Sequence, residues 1–236
     1  MRLGDLLALT RISARLLAGR RFWVVPLLPL LWPAYNAFAL LVGWQEGAFY
    51  PVSGQNVLIG MPLAVLAVGL GVRVIASEVD RRTLEIAYTV PGGSHRVWLA
   101  KLAAAVALLV VAEAGLAIVA FAFFTPYPPV ALYGALQAAV FYLVVAMGLA
   151  ALFGSEITGA MAAAVVLAVN LCLTLPFEGR HPRFSPFWNP SAWDSASSSD
   201  LLAWAVQNRV GFVLAIAAVT ALGFARAERR EKLLGG

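Results

Sequence analysis

The chain has 236 residues, 61% of them hydrophobic and only 12% charged, with a mean hydropathy of +0.84. Soluble domains are roughly 45–50% apolar, so an ordinary soluble fold is excluded. An outer-membrane barrel is excluded as well, because the apolar stretches are continuous and lack the short alternating segments of barrel strands. The expected fold is an all-α integral membrane protein.

In chain order, residues 1–21 read as a leader on the inner membrane face. Leu3, Leu6, Leu7, Ile12, Leu16 and Leu17 can share one broad helical face, with Arg11 and Arg15 on the other; this is the pattern of an amphipathic interfacial helix. The leader carries too many charges for a cleavable signal peptide. A transmembrane domain over 22–226 follows, with six spans predicted at roughly 22–42, 57–76, 98–124, 130–153, 157–175 and 206–224. Pro26, Pro29 and Pro33 punctuate the first span, which predicts a bent helix packed on protein. Gly154, Ser155 and Glu156 form a short turn that makes spans four and five an antiparallel pair. The segment 176–205 is rich in aromatic residues, including Phe177, Phe184, Phe187, Trp188, Trp193 and Trp204. Such a segment lies on or dips into the outer leaflet; a ligand vestibule is the sharper alternative. Residues 227–236 read as a basic tail.

Orientation follows from the cations. With the N-terminus inside, all 17 Lys and Arg fall on inner segments except Arg180, Arg183 and Arg209. The positive-inside bias therefore predicts an N-in, C-in topology. The net charge of +5 is then an orientation signal and no sign of a nucleic-acid partner. Membrane lipid is the expected surround.

Several chemistries are absent. The only lysines, Lys101 and Lys232, do not follow glycine, so no GxxxxGK[ST] phosphate loop exists in this chain. His95 and His181 fall on opposite sides of the predicted membrane and cannot share a metal. Ser155 sits in a superficial GxS pattern with no histidine to serve as its base. Cys172, the single cysteine, reads as a small packing residue. Neither a catalytic residue nor a metal or cofactor site is expected. Glu113 is the one carboxylate near mid-span, where an acid costs about 2.5–3.5 kcal/mol on insertion scales. It reads either as a polar substrate or proton site, or as a structural hydrogen bond with Asn170 as partner.

The densest charge lies at 77–98, between two apolar runs. Glu78 and Arg82 are spaced i, i+4, as are Arg81 and Glu85. Span two should thus continue as a helix beyond the membrane. Pro91, Gly92 and Gly93 break it, and Ser94 can cap a helix running through Arg96, Trp98 and Lys101 into span three. The prediction is a helix–turn–helix elbow. Leu84, Ile86, Tyr88 and Val90, exposed beside these charges, would make it a docking surface.

These residues resemble a known family. Glu78, then Arg82, Thr83, Leu84 and Glu85, then Pro91, Ser94, Arg96 and Lys101 look like the loop between spans two and three of ABC-2-type transporter permeases, which carry a similar E…gTLE…P(v)sr…K stretch. The likeness extends to the overall plan of leader, six spans, long outer segment and basic tail. The chain departs from the pattern at Gly92 and Gly93, and at Arg82, where glycine is common. The resemblance implies a transmembrane subunit that pairs with a second permease, either a copy or a paralogue, and with separate ATP-binding-cassette ATPase subunits that hold the ATP and Mg. It also implies an exporter in a prokaryotic inner membrane. The elbow would be the coupling helix, docking through Arg81, Arg82, Thr83, Leu84, Glu85, Pro91, His95 and Arg96. The leader would be the connecting helix, with Glu78 packing the elbow against it. Two other readings stay open: a membrane-embedded lipid-modifying enzyme, which needs clustered acids or histidines at one face, and a scaffold or immunity-type protein without ATP linkage.

Overall fold

Alanine and glycine recur every three or four residues along the apolar runs, which lets helix backbones approach closely. In the computed structural model, every regular element among the described residues is helical. The described residues are 3–45, 49–51, 54–80, 94–174, 180–193 and 197–228. Helix α1 spans Leu3–Ala18 and ends at Gly19, whose φ of 78° suits glycine. Phe22–Leu30 is a 3-10 helix that runs directly into α2, Leu31–Leu41. Pro26 and Pro29 have no amide to give an α-helical ladder, which accounts for the tighter winding. Pro26, Pro29 and Pro33 are all buried, so the predicted packing of this segment on protein is observed.

A π-helical turn, Gly54–Gly60, leads into α3, Met61–Asp80. Pro62 cannot donate to the carbonyl of Leu58, and a widened turn is one relief for such a gap. Helices α4 (Ser94–Phe123), α5 (Val130–Phe153), α6 (Glu156–Cys172) and α7 (Ser198–Glu228) complete the bundle.

Among the described residues, five helical stretches are long and apolar enough to cross a membrane: Phe22–Leu41, Gly54–Glu78, Ser94–Phe123, Val130–Phe153 and Ser198–Glu228. The protein is accordingly read as membrane-embedded. Helix α6, matching the predicted fifth span, has 17 residues and is short for a crossing. The predicted last span begins too late. Helix α7 starts at Ser198, and Gln207, Asn208 and Arg209 lie well inside it. The tail boundary shifts too: α7 continues to Glu228, and Ala227 is fully buried.

Helix α5 is the hub, contacting α3 most extensively and then α7 and α6. Small residues make this possible. A Cβ on Gly71 would collide with the Leu143 carbonyl, and one on Gly159 with the backbone of Ala150. Gly148 faces Val219, and Gly223 faces Met147. Helix α7 packs chiefly on α5 and leaves Leu202, Val206, Val210, Val213, Leu214 and Leu222 exposed, an apolar face suited to lipid. Cys172 is exposed rather than packed, because it sits on the outward side of α6.

Ser13, Ala14 and Leu17 are buried against the bundle, whereas Ile12 and Leu16 are exposed, as are Arg11 and Arg15. Helix α1 packs mainly on α4, and one turn of helix cannot bury both apolar stripes against one neighbour. At this end of the bundle Arg73 bridges three elements, donating to the Leu17 carbonyl at 3.4 Å and pairing with Glu156 at 3.6 Å. The pair is partly solvent-exposed, so it contributes little stability. The 154–156 turn is tight as expected: Gly154 takes a φ of 66°, and Ser155 caps α6 by accepting from the Thr158 amide. That is the role of Ser155.

Candidate functional site

The last turns of α3 and the first turns of α4 meet around a buried charged group. Glu78 on α3 is 8% exposed and Lys101 on α4 is 3% exposed. The Lys101 ammonium lies 2.7 Å from Glu78 Oε1. It also donates toward the Val74 carbonyl at 3.4 Å and Ser77 Oγ at 3.5 Å, so each of its three protons has an acceptor. The second carboxylate oxygen, Glu78 Oε2, accepts from the Trp98 indole at 3.0 Å. Trp98 is fully buried, and its ring lies 5.7 Å from that of Phe224 on α7. Ser77 completes the group by donating to the Arg73 carbonyl at 2.6 Å.

The geometry follows from helical periodicity. Val74, Ser77 and Glu78 share one face of α3, while Trp98 and Lys101 share the facing side of α4. Both groups are therefore paired and hydrogen-bonded within a low-dielectric contact, which offsets the cost of taking them out of water. The arrangement fastens the end of α3 to the start of α4. Glu78 was expected to hold the elbow against the leader; it joins α3 to α4 instead, and Arg73 is the residue that reaches the leader.

Of the other expected docking residues, His95 and Arg96 are exposed at the mouth of α4. Arg81, Arg82, Thr83, Leu84, Glu85 and Pro91 lie outside the described residues, as do Ile86, Tyr88 and Val90. Glu113 is buried on α4 at 7% exposure, with Oε1 unpartnered. Its expected pairing with Asn170 does not form: Asn170 instead accepts a 3.0 Å hydrogen bond from Ser185.

That bond belongs to a second polar group, at the opposite end of the bundle. Residues 180–193 fold into the bundle mouth, with Phe187, Trp188, Ser185 and Asn189 almost fully buried. Phe187 stacks on Tyr142 of α5 at 5.7 Å. Asn208 of α7 donates to the carbonyls of Arg183 and Ser185 at 2.6 and 3.0 Å, and accepts from Gln137 of α5 at 3.2 Å. This segment was expected to lie on or dip into the outer leaflet; its buried half instead folds against the helices, while Phe184 stays exposed. Ser185, Asn208 and Gln137 carried no individual signal in the sequence beyond their polarity within apolar surroundings.

His181 sits beside this plug, 3.3 Å from Ser185 Oγ, and burial lowers its pKa from 6.5 to about 4. The unfolded chain therefore binds a proton that the folded chain rejects between those values. Stability from this group is complete above pH 6.5, declines as pH falls and levels off below about 4, a total on the order of 3 kcal/mol. Thermal unfolding of purified protein across this window should show the decline, and His181→Gln should flatten it.

Among the described residues, no three His, Cys, Asp or Glu side chains gather as a metal would require. Comparison with protein-family models, curated proteins and solved structures found no match to the chain.

Proposed function

We propose that the protein is the permease subunit of an ABC-2-type ATP-binding-cassette exporter. In this reading α6 completes six crossings, both chain ends face the cytoplasm of a prokaryotic cell, and α1 is the interfacial connecting helix. A second permease subunit and separate ATPase subunits complete the assembly, and those ATPases bind the nucleotide and metal. The chain itself is not an enzyme.

The observation that carries the reading is the buried Glu78–Lys101–Trp98 lock. A segment that transmits force needs legs that move together, and this lock makes the bases of α3 and α4 one rigid body. Glu78 and Lys101 are also the first and last residues of the stretch that resembles the family's loop. Nucleotide-driven closure of an ATPase can shift the spans only through contacts that differ between its two states; in this reading Arg81, Arg82 and Glu85, the charges that follow Glu78 in the sequence, supply them. The reading gains further support from the cations on the elements that gather at this end of the bundle, Arg11 and Arg15 on α1, Arg73 on α3 and Arg226 in the last turn of α7.

Affinity purification of the tagged protein from its native membrane should co-purify an ATPase bearing a phosphate-loop motif. The double charge reversal Arg82→Glu with Glu85→Arg should abolish that association while leaving membrane insertion unchanged. Retention of the ATPase by the reversed protein would count against the elbow as its dock.

A further inference from the structure

The side of α7 that meets α5 is a stripe of Arg209, Phe212, Ile216, Val219 and Gly223. Phe212 packs edge-on against Phe141 at 5.0 Å, Ile216 and Val219 join the core, and Gly223 lies on Met147. One member is a guanidinium. It occupies the end of the stripe farthest from the Glu78–Lys101 lock, where α5 presents Tyr133 and Gly134. The Arg209 guanidinium lies 4.9 Å from the Tyr133 ring. A Cβ on Gly134 would stand 3.2 Å from Arg209 Nη2 and 2.5 Å from Gln55 Nε2, so both donors crowd the same spot and glycine is what admits them.

Neither donor group is satisfied. Gln55, set inward by the π-helical turn, is 1% exposed, and its Nε2 has no hydrogen-bond partner; Arg209 Nη1 is buried and likewise unpartnered. The ion pairs among the described residues are Arg73 with Glu156 and Lys101 with Glu78, and neither reaches Arg209. A cation inside a membrane bundle ordinarily has a partner, and a forked guanidinium beside an amide donor is shaped for the oxygens of an anion.

We infer that Arg209 and Gln55, meeting over Gly134, form a binding site for a phosphate oxyanion. Gly134 lies about one helical turn, or roughly 6 Å, inside the start of α5. Half-exposed Tyr133 flanks it, and such tyrosines sit at headgroup depth. The phosphate can therefore come from a lipid headgroup entering beside Tyr133, or from a free phosphate entering from the aqueous end. The site lies far from the lock and does not depend on the transporter reading.

The test is thermal unfolding of the full-length protein in dodecyl maltoside at fixed ionic strength, alone, with added phosphatidylglycerol, and with added inorganic phosphate. Occupancy should raise the midpoint of the wild-type protein by about 5 °C. A rise with the lipid alone assigns the site to a headgroup, and a rise with inorganic phosphate assigns it to a free phosphate. Arg209→Met should keep or raise the midpoint in detergent alone, because an unpaired charge is removed, and should abolish the ligand-induced rise. Gln55→Met, which leaves the charge in place, should at least halve that rise. No rise in either arm, or an equal rise in Arg209→Met, overturns the site. So does a lower midpoint for Arg209→Met in detergent alone, since the guanidinium would then be satisfied within the fold.

Discussion

Lys101→Met is expected to destabilise the protein by about 3–5 kcal/mol, because it strands the Glu78 carboxylate in a buried contact. The carboxylate would keep its 3.0 Å bond from Trp98 but lose the one cation paired with it among the described residues. Glu78→Gln should cost a comparable amount by stranding the ammonium. The double variant Glu78→Met with Lys101→Met should recover most of the loss, since a well-packed apolar pair can match a buried ion pair. A double-mutant cycle on thermal unfolding in detergent measures this directly, and the coupling energy should be large. Additive losses would show that the two residues act separately and that the elbow's legs are not fastened by charge. The double variant also separates stability from function. If the lock matters only as a fastening, an apolar fastening should support the same ATPase association as the ionic one.

The second large effect is expected at Asn208. Its side chain gives both amide protons to the carbonyls of Arg183 and Ser185 and accepts from Gln137. Asn208→Leu keeps the branched outline and removes all three bonds, leaving buried carbonyls and an amide without partners. Each unsatisfied group costs about 1–3 kcal/mol, so the segment 180–193 should detach locally before the bundle unfolds. A Ser185→Cys reporter, fully buried in the parent, should become reactive to a membrane-impermeant maleimide at least tenfold faster in the Asn208→Leu background. Unchanged labelling would mean that the aromatic contacts of Phe187 and Trp188 hold the plug without the amide. Arg183 also lies over the Trp204 ring at 4.1 Å, an exposed contact worth less, and its removal should change labelling only slightly.

Much of this architecture was legible in advance. The three central spans were located within a few residues, because each is an uninterrupted apolar run bounded by glycine, proline or charge. The buried prolines of the first span were foreseen for a reason of chemistry, since carbonyls freed by proline need protein or water nearby. The turn at 154–156 was read correctly from its brevity and its residues.

Other features were beyond reach. Asn208 reads as a surface residue by composition, and only the return of Arg183 and Ser185, 25 and 23 residues earlier, satisfies its amide inside the bundle. Helix α7 begins at Ser198 instead of near 206, with the Ser197 hydroxyl accepting from the Asp200 amide at its start. Glu78 and Lys101 stood at the two ends of one motif, yet their meeting depends on how α3 and α4 are rotated about their own axes. Periodicity gives the faces of a helix but not which neighbour each face will meet. The same limit hid how α1 docks, with Leu17 buried on the bundle while Ile12 and Leu16 stay exposed.

Membrane embedding and helical class were thus dictated by composition and run length, because a bilayer accepts few alternatives to a continuous apolar helix. The lock, the inward-folded plug and the unpartnered guanidinium at Gly134 were decided by tertiary packing. Each depends on side chains from distant segments facing one another, and that facing is set by small-residue helix contacts which no local pattern specifies.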